Sequence, residues 1–185
     1  MDKKYTDSAK KLEKNLSRAM EMVLSIYKVR YPALEFKTVL SKFEIAKLRG
    51  LSNYNPQNAK SNIRPDGGMI FLDGKLLLCS EAKTQGNATN HFGNAIERSA
   101  KNYLEIRGIC KNYNFLPYVI FCSGNNFKYG SSILDRIDIL TDYLPRNTIL
   151  SREKVASVYT KEVDFSLEEI LPILTNIMEI SLSNG

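Results

Sequence analysis

Apolar residues recur at helical spacing through the first thirty positions of the chain. Between Ser8 and Arg30 they return every three or four residues, as expected of a helix that buries one face. Pro32 ends the pattern, because a proline cannot donate the backbone hydrogen bond that extends a helix. The positions predicted to face inward are Leu12, Leu16, Ala19, Met20, Val23, Leu24 and Tyr27.

A capping box predicts a second, shorter helix from Ser41 to Arg49. Ser41 and Glu44 have the spacing at which each side chain binds the other's backbone N–H, and Gly50 closes the helix. The stretch 51–64 that follows is rich in Asn and Ser and is predicted to be a surface loop.

The pair Asp73-Gly74 separates two apolar runs and predicts a β-hairpin, since both turn positions must accept a positive φ. The neighbouring strand positions are apolar without alternation, so both faces of the hairpin are expected to be buried. These positions are Met69, Ile70, Phe71, Leu76, Leu77 and Leu78.

The rest of the chain alternates predicted helices with predicted strands. After a polar loop at 84–93 come a helix over 95–113, a buried strand over 116–122, a helix over 132–143, a strand over 155–160 and a helix over 166–182. Ser166 and Glu169 open the last helix, and Pro172 is expected to kink it or to move its start. This order predicts an α/β fold, a single domain over 1–185 with a central mixed β-sheet flanked by helices.

Composition narrows the functional classes. With 43% hydrophobic and 25% charged residues in a length of 185, the chain is expected to bury a globular core. It contains neither an apolar run long enough for a membrane helix nor a signal-peptide stretch, so a soluble, cytoplasmic protein with no membrane partner is expected. The widely spaced Cys79, Cys110 and Cys122 indicate neither a disulfide framework nor a thiolate zinc site, and the single His91 excludes a multi-histidine metal site.

The net charge of +6 is unevenly distributed along the chain. Residues 1–50 carry 12 basic and 6 acidic side chains, residues 51–110 carry 7 and 5, and residues 111–185 carry 7 and 9. This asymmetry fits a polyanion that docks on the N-terminal and central parts, although lysines on solvent-facing helices produce a similar excess.

Two carboxylates at the open end of the hairpin are the first candidates for chemistry. A two-residue turn would place Leu72 opposite Lys75, Ile70 opposite Leu77, Gly68 opposite Cys79 and Asp66 opposite Glu81. Carboxylates that close together repel each other unless a cation lies between them. Lys83, two residues beyond Glu81, is expected on the same face of its strand.

This cluster has two interpretations. Hard oxygen ligands suit Mg²⁺, which together with Lys83 would activate water and stabilise charge on a phosphate during phosphodiester hydrolysis. A salt bridge between Lys83 and one of the carboxylates would leave the same sequence pattern.

A polar helix start follows at 93–102. Asn94 has the donor and acceptor that read adenine in the major groove, and Arg98 offers a fork of donors for bases or phosphate. A structural role fits equally well, with Asn94 and Glu97 as a capping box and Glu97 and Lys101 as an ion pair one turn apart.

Three segments in this order resemble the EcoRI-type restriction endonucleases of the PD-(D/E)xK nuclease class. They are PDGG at 65–68, EAKTQG at 81–86 and GNAIERS at 93–99, and the similarity continues through 115–127, 133–138 and 156–160. The PD and ExK pieces are weak signals separately, whereas GNAIERS in this context is specific.

The resemblance implies a type II endonuclease that cuts duplex DNA. Asp66, Glu81 and the carbonyl of Ala82 would bind Mg²⁺, and Lys83 would orient the attacking water or help to deprotonate it. A central AATT would be read by the 93–102 helix. The DNA-binding residues implied in this way are Gln85, Gly93, Asn94, Ala95, Glu97, Arg98, Lys101 and Arg136.

The resemblance also implies how such an enzyme works in the cell. Family members act as homodimers on palindromic duplexes, leave 5′-phosphate ends and are accompanied by an adenine methyltransferase that protects the host. Two copies of one positively charged chain, related by a two-fold axis, would match the two-fold symmetry of a palindromic DNA site.

The chain departs from the family pattern at several positions. Thr84 stands where the best-known member has His, Asn87 stands where it has Lys, and the segment 87–92 is much shorter than its counterpart. Arg136 matches an arginine that reads the outer guanine, but Ile139 replaces a second arginine one helical turn later. Both GAATTC and a bare AATT are therefore compatible with the sequence.

Two rival functions belong to the same fold. One is a noncatalytic, sequence-specific DNA-binding protein, against which the intact Asp66, Glu81 and Lys83 argue. The other is a repair or junction nuclease, which would nick DNA according to its structure and would not yield discrete fragments.

Overall fold

The computed structural model describes residues 3–39, 65–84, 115–124 and 158–183, together with Glu44, Ile106 and Cys110. Two helices lie in these ranges, α1 (Lys3–Arg30) and α2 (Leu167–Ser183). The strands there are β1 (Phe36–Lys37), β2 (Gly68–Leu72), β3 (Lys75–Thr84), β4 (Tyr118–Ser123) and β5 (Val158–Lys161). The helices predicted over 41–49, 95–113 and 132–143 and the loop over 51–64 lie outside the described residues, except for the isolated positions named above.

The strands form one mixed sheet in the order β1-β2-β3-β4-β5. β2 pairs antiparallel with both β1 and β3, whereas β4 runs parallel to both β3 and β5. The predicted α/β class with a central mixed sheet is therefore confirmed. The sequence pattern did not predict β1, because a strand of two residues shows no periodicity.

The turn of the β2–β3 hairpin has the predicted two residues. Asp73 and Gly74 both adopt positive φ, 49° and 79°, and Leu72 pairs with Lys75 across the turn. Asp-Gly is favoured at this position because these residues accept the left-handed region that the turn requires.

Beyond the turn, a β-bulge moves the hairpin register by one residue. The observed pairs are Phe71–Leu76, Ile70–Leu78, Met69–Cys79 and Gly68–Ser80. Leu77 is the extra residue on β3, and the predicted pairs of Ile70 with Leu77 and of Gly68 with Cys79 are therefore wrong. A bulge keeps an additional apolar side chain in the core and increases the local twist of the strands.

The helices α1 and α2 pack against each other and against β3. All seven α1 positions predicted to face inward enter the hydrophobic core, with Leu24 only partly buried. On the strands, Leu78, Ala82 and Phe121 belong to the same cluster. Each fully buried aliphatic side chain contributes about 1.5–3 kcal/mol, so this layer anchors the sheet from one side.

The start of α2 is set by the predicted capping box. The backbone N–H of Ser166 donates to Glu169 Oε2 at 2.8 Å, and the N–H of Glu169 donates to Ser166 Oγ at 3.4 Å. Pro172 lies inside α2 and does not move its start. A hydrogen bond from Lys161 and the N–H of Ser166 lower the pKa of Glu169, so its carboxylate stays ionised to a lower pH than that of an ordinary glutamate.

Ile106 and the three cysteines are also buried. Ile106 is helical and fully buried, and it accepts a hydrogen bond from the N–H of Cys110 at 2.9 Å, as expected inside the 95–113 helix. Cys79, Cys110 and Cys122 are buried and form no disulfide bond. Neither α1 nor α2 combines the length and the apolar character needed to cross a membrane.

Candidate active site

Three oxygen atoms converge on the ammonium of Lys83. Its Nζ donates to Asp66 Oδ2 at 2.9 Å, to Glu81 Oε1, and to the carbonyl oxygen of Ala82 at 3.1 Å. Asp66 lies just before β2, whereas the other three residues lie in the second half of β3. The residues proposed from the sequence as two acids, a carbonyl and an amine thus meet at one point.

The strand pairing that brings Asp66 close to Glu81 differs from the prediction. Asp66 precedes the first paired residue of β2, and the bulge shifts the register, so Asp66 and Glu81 are not directly opposed. The two carboxylates are brought together through Lys83, which contacts both. The predicted placement of Lys83 on the same strand face as Glu81 agrees with this contact.

Strand alternation separates this cluster from the helical layer. The side chain of Ala82 packs in the core with α1 and α2. Because successive side chains on a strand point to opposite faces, Glu81 and Lys83 lie on the other face of the sheet.

A glycine brings Asp66 into position. The N–H of Gly67 donates to the carbonyl oxygen of Ser80 on β3 at 3.0 Å. A Cβ at position 67 would lie 2.6 Å from Leu16 Cγ and closer still to Ser80 Oγ. Only glycine therefore allows the chain carrying Asp66 to run this close to both β3 and α1. No local sequence pattern indicates this role, because Gly67 and the α1 residue that it contacts are distant along the chain.

The burial of the three charged side chains increases from one end of the cluster to the other. The exposed fraction is 33% for Asp66, 16% for Lys83 and 1% for Glu81. A buried carboxylate is costly unless charge and hydrogen bonds compensate it. Lys83 supplies both to Glu81 Oε1, and the Tyr118 hydroxyl donates to Glu81 Oε2.

The charges of the cluster determine its protonation. Burial lowers the pKa of Lys83, but the charges and hydrogen bonds of Glu81 and Asp66 outweigh it, so the net pKa lies above its usual value. Burial, reinforced by the charge of Glu81, raises the pKa of Tyr118. Burial raises the pKa of Cys122, the strand partner of Lys83, to about 12. At neutral pH, Lys83 is therefore an ammonium, and the phenol and the thiol are neutral.

No motif in the sequence assigns Tyr118 to this cluster. The sequence did contain a signal, since Tyr118 lies in the predicted buried strand over 116–122 and a buried tyrosine hydroxyl usually has a hydrogen-bond partner. The identity of that partner depends on the parallel pairing of β3 with β4, which no local pattern reveals.

The oxygen atoms around Lys83 fit a hard divalent cation. Over the described ranges, no group of three or more His, Cys, Asp or Glu side chains could hold a metal. The candidate ligands are instead two carboxylates and the Ala82 carbonyl, which already surround a positive charge. Oxygen donors of this kind suit Mg²⁺, which commonly retains waters and completes its shell with phosphate oxygens.

The residues predicted to contact DNA lie outside the described residues. They are Gln85, Gly93, Asn94, Ala95, Glu97, Arg98, Lys101 and Arg136. The short segment 87–92, with His91, also lies outside them.

Comparisons with known proteins agree with the motif order. The family model "Restriction endonuclease EcoRI" matches residues 2–147, which include all the predicted site residues. The type II restriction enzyme EcoRI of Escherichia coli is 29% identical in an alignment with a length of 184, which covers 74% of this chain and 66% of that protein. The type II restriction enzyme RsrI of Cereibacter sphaeroides is 28% identical in an alignment with a length of 159, which covers 71% of this chain and 57% of that protein.

The chain thus spans 66% of the length of one relative and 57% of the other. The match nevertheless extends over most of this chain and includes both the carboxylate hairpin and the GNAIERS segment. The chain belongs to the EcoRI family of restriction endonucleases.

Proposed function

We propose that this protein is a Mg²⁺-dependent type II restriction endonuclease that hydrolyses duplex DNA at a palindrome containing AATT. The site is either GAATTC or a bare AATT, and the products carry 5′-phosphate ends. The observation that carries the proposal is the convergence of Asp66 Oδ2, Glu81 Oε1 and the Ala82 carbonyl on Lys83 Nζ. Membership of the EcoRI family supports it.

The same three oxygens would hold the cation. When bound, Mg²⁺ lowers the pKa of a coordinated water and acts as a Lewis acid toward phosphate oxygens. Glu81 is the buried anchor of this set, and Asp66 is its most exposed member. The phosphate of DNA would therefore approach the cluster from the side of Asp66.

Lys83 would act as a hydrogen-bond donor. Its raised pKa keeps a proton on Nζ in the metal-free protein. A charged ammonium beside the reacting phosphate orients the attacking water and stabilises the negative charge that develops during in-line attack. In the metal-free protein, Asp66 and Glu81 hold this ammonium in place from two sides.

Sequence recognition would come from the 93–102 segment. Asn94 and Arg98, positioned by Glu97, would read the two adenines of each half-site, and Arg136 would reach the outer base pair. Two copies of the chain would bind as a homodimer, because a palindrome presents the same half-site twice. A companion adenine methyltransferase would protect the host by modifying the same sequence.

Digestion of a linear duplex of known sequence tests this proposal. With Mg²⁺, the full chain should yield discrete fragments whose sequenced ends lie at AATT and carry 5′-phosphates. Asp66→Ala should reduce the cleavage rate by at least about 100-fold, because Lewis-acid stabilisation is worth several kcal/mol. Binding of the duplex, measured without metal, should be retained.

The matched control is Asp7→Ala, which removes an exposed carboxylate from α1 and should leave cleavage unchanged. Binding without cleavage in either Mg²⁺ or Mn²⁺ would identify a noncatalytic DNA-binding protein. Nicks that follow DNA structure and not sequence would identify a junction nuclease. Wild-type cleavage by Asp66→Ala would refute the assignment of the metal ligands.

A further inference from the structure

The carboxylate of Glu81 accepts a hydrogen bond at each oxygen, from a charged donor at one and from a neutral donor at the other. Lys83 donates to Oε1, and the hydroxyl of Tyr118 on β4 donates to Oε2. We propose that Tyr118 is a positioning residue that orients Glu81 for metal binding. This inference rests on the proposed function.

The sheet register explains how Tyr118 reaches Glu81. Tyr118 pairs with Cys79, and Glu81 pairs with Ile120, so Tyr118 and Glu81 are diagonal neighbours on one face of the sheet. Diagonal neighbours are about 7–8 Å apart, a distance that a long aromatic side chain spans. A leucine or valine at position 118 would be too short and would offer no donor.

Tyr118 is itself firmly held. Its side chain is almost fully buried, and its backbone N–H donates to the Leu116 carbonyl at 2.8 Å, directly before β4 begins. A donor that is fixed in this way restricts the carboxylate more than a surface side chain would.

The two donors have different effects on a cation. The terminal torsion of a glutamate is broad, so one hydrogen bond leaves the plane of the carboxylate poorly defined. The ammonium of Lys83 repels a divalent cation, whereas the neutral hydroxyl of Tyr118 does not. Tyr118 therefore keeps Glu81 oriented without opposing the charge that the site is proposed to accept. Such outer-shell partners are known to tune metal ligands.

The test compares Tyr118→Phe, which removes only the hydroxyl, with Tyr159→Phe. Tyr159 lies on β5, where its ring stacks on Phe121 in the core shared with α1 and α2, so it is a matched control away from Glu81. Two readouts are needed for the full chain. One is Mn²⁺ binding without DNA, followed by the electron paramagnetic resonance signal of free Mn²⁺, and the other is the Mg²⁺ dependence of duplex cleavage.

Tyr118→Phe should weaken Mn²⁺ binding and raise the Mg²⁺ concentration for half-maximal cleavage, each by about 10-fold, as is typical when an outer partner of a metal ligand is removed. Saturating Mg²⁺ should restore most of the cleavage rate. Tyr159→Phe should leave both titrations unchanged. A urea unfolding curve in EDTA checks that each variant is folded. If Tyr118→Phe does not fold, Tyr118→Leu, which also lacks the hydroxyl, takes its place.

Each alternative outcome has a distinct meaning. If the wild type cuts DNA and Tyr118→Phe matches it in both titrations, this inference is wrong and the proposed function stands. A lower maximal rate without a shift in either titration also overturns it, because it shows a merely structural role. A wild type that neither binds Mn²⁺ nor cuts DNA overturns the proposed function and this inference together.

Discussion

Replacement of Lys83 by methionine tests whether the ammonium compensates the buried charge of Glu81. Methionine has a similar length and is apolar, so Lys83→Met removes the charge and the hydrogen bonds with little change in packing volume. Glu81, which is only 1% exposed, then loses its ion pair with Lys83 but keeps the hydrogen bond from Tyr118, and Asp66 loses its contact with the same Nζ.

The expected loss of stability follows from this geometry. Removal of one partner from a buried ion pair costs about 3–5 kcal/mol, because the other charge stays buried without its counter-charge. Lys83 retains some access to solvent and Asp66 more, so their mutual attraction is partly screened, and the lower end of that range, about 3 kcal/mol, applies. For a chain of 185 residues this corresponds to a fall in Tm of roughly 6–12 °C.

Urea unfolding in EDTA at neutral pH measures the effect. The control is Lys161→Met, which removes the basic partner of the more exposed Lys161–Glu169 pair and should cost no more than about 1 kcal/mol. Mg²⁺ at about 100 times its Kd should raise the free energy of unfolding of Lys83→Met by about 2.7 kcal/mol, because the cation binds the folded state. It should stabilise the wild type less, because there the cation competes with the ammonium. Equal losses for the two lysine variants would refute the reasoning.

Two further predictions concern the fold around the site. Gly67→Ala should destabilise the protein by about 1–3 kcal/mol in urea unfolding, because the added Cβ would lie 2.6 Å from Leu16 Cγ and even closer to Ser80 Oγ. A variant as stable as the wild type would show that this close approach does not matter. Glu169→Gln should lower the stability at neutral pH, since the lowered pKa of Glu169 means that its carboxylate favours the folded state above its ordinary pKa of 4.5. That contribution is lost as the pH falls through the lowered folded-state pKa, so the unfolding free energies of variant and wild type should converge in acid, and a constant difference down to low pH would contradict the linkage.

Local patterns predicted the elements whose signals lie within a few residues. The seven apolar positions of α1 share one helical face, and the capping box of Ser166 and Glu169 begins α2 where the sequence indicates. The Asp73-Gly74 pair identified the hairpin turn for the same reason, since its backbone requirement is satisfied by two adjacent residues. The strand at 118–123 was recognisable because it is buried on both faces and therefore apolar throughout.

The candidate catalytic cluster was only partly accessible to such reasoning. Spacing alone placed Glu81 and Lys83 on one strand face, and the expected two-residue turn of the hairpin brought in Asp66 as their partner. The expected direct opposition of Asp66 and Glu81 was wrong, because a bulge at Leu77 adds one residue to β3. A bulge in a continuous apolar run leaves no trace in the pattern, since every register would bury a hydrophobic side chain.

Among the described residues, the amino-acid sequence by itself determined α1, α2, the turn of the hairpin and the chemical identity of the acids and the amine, because each depends on residues close together in the chain. Only the tertiary structure decided the register of β3, the need for glycine at position 67 and the contact of Tyr118 with Glu81. Those features depend on the packing of β3 against α1 and β4, segments that are distant in sequence, so their geometry is set by the whole sheet and its helical layer and not by any local pattern.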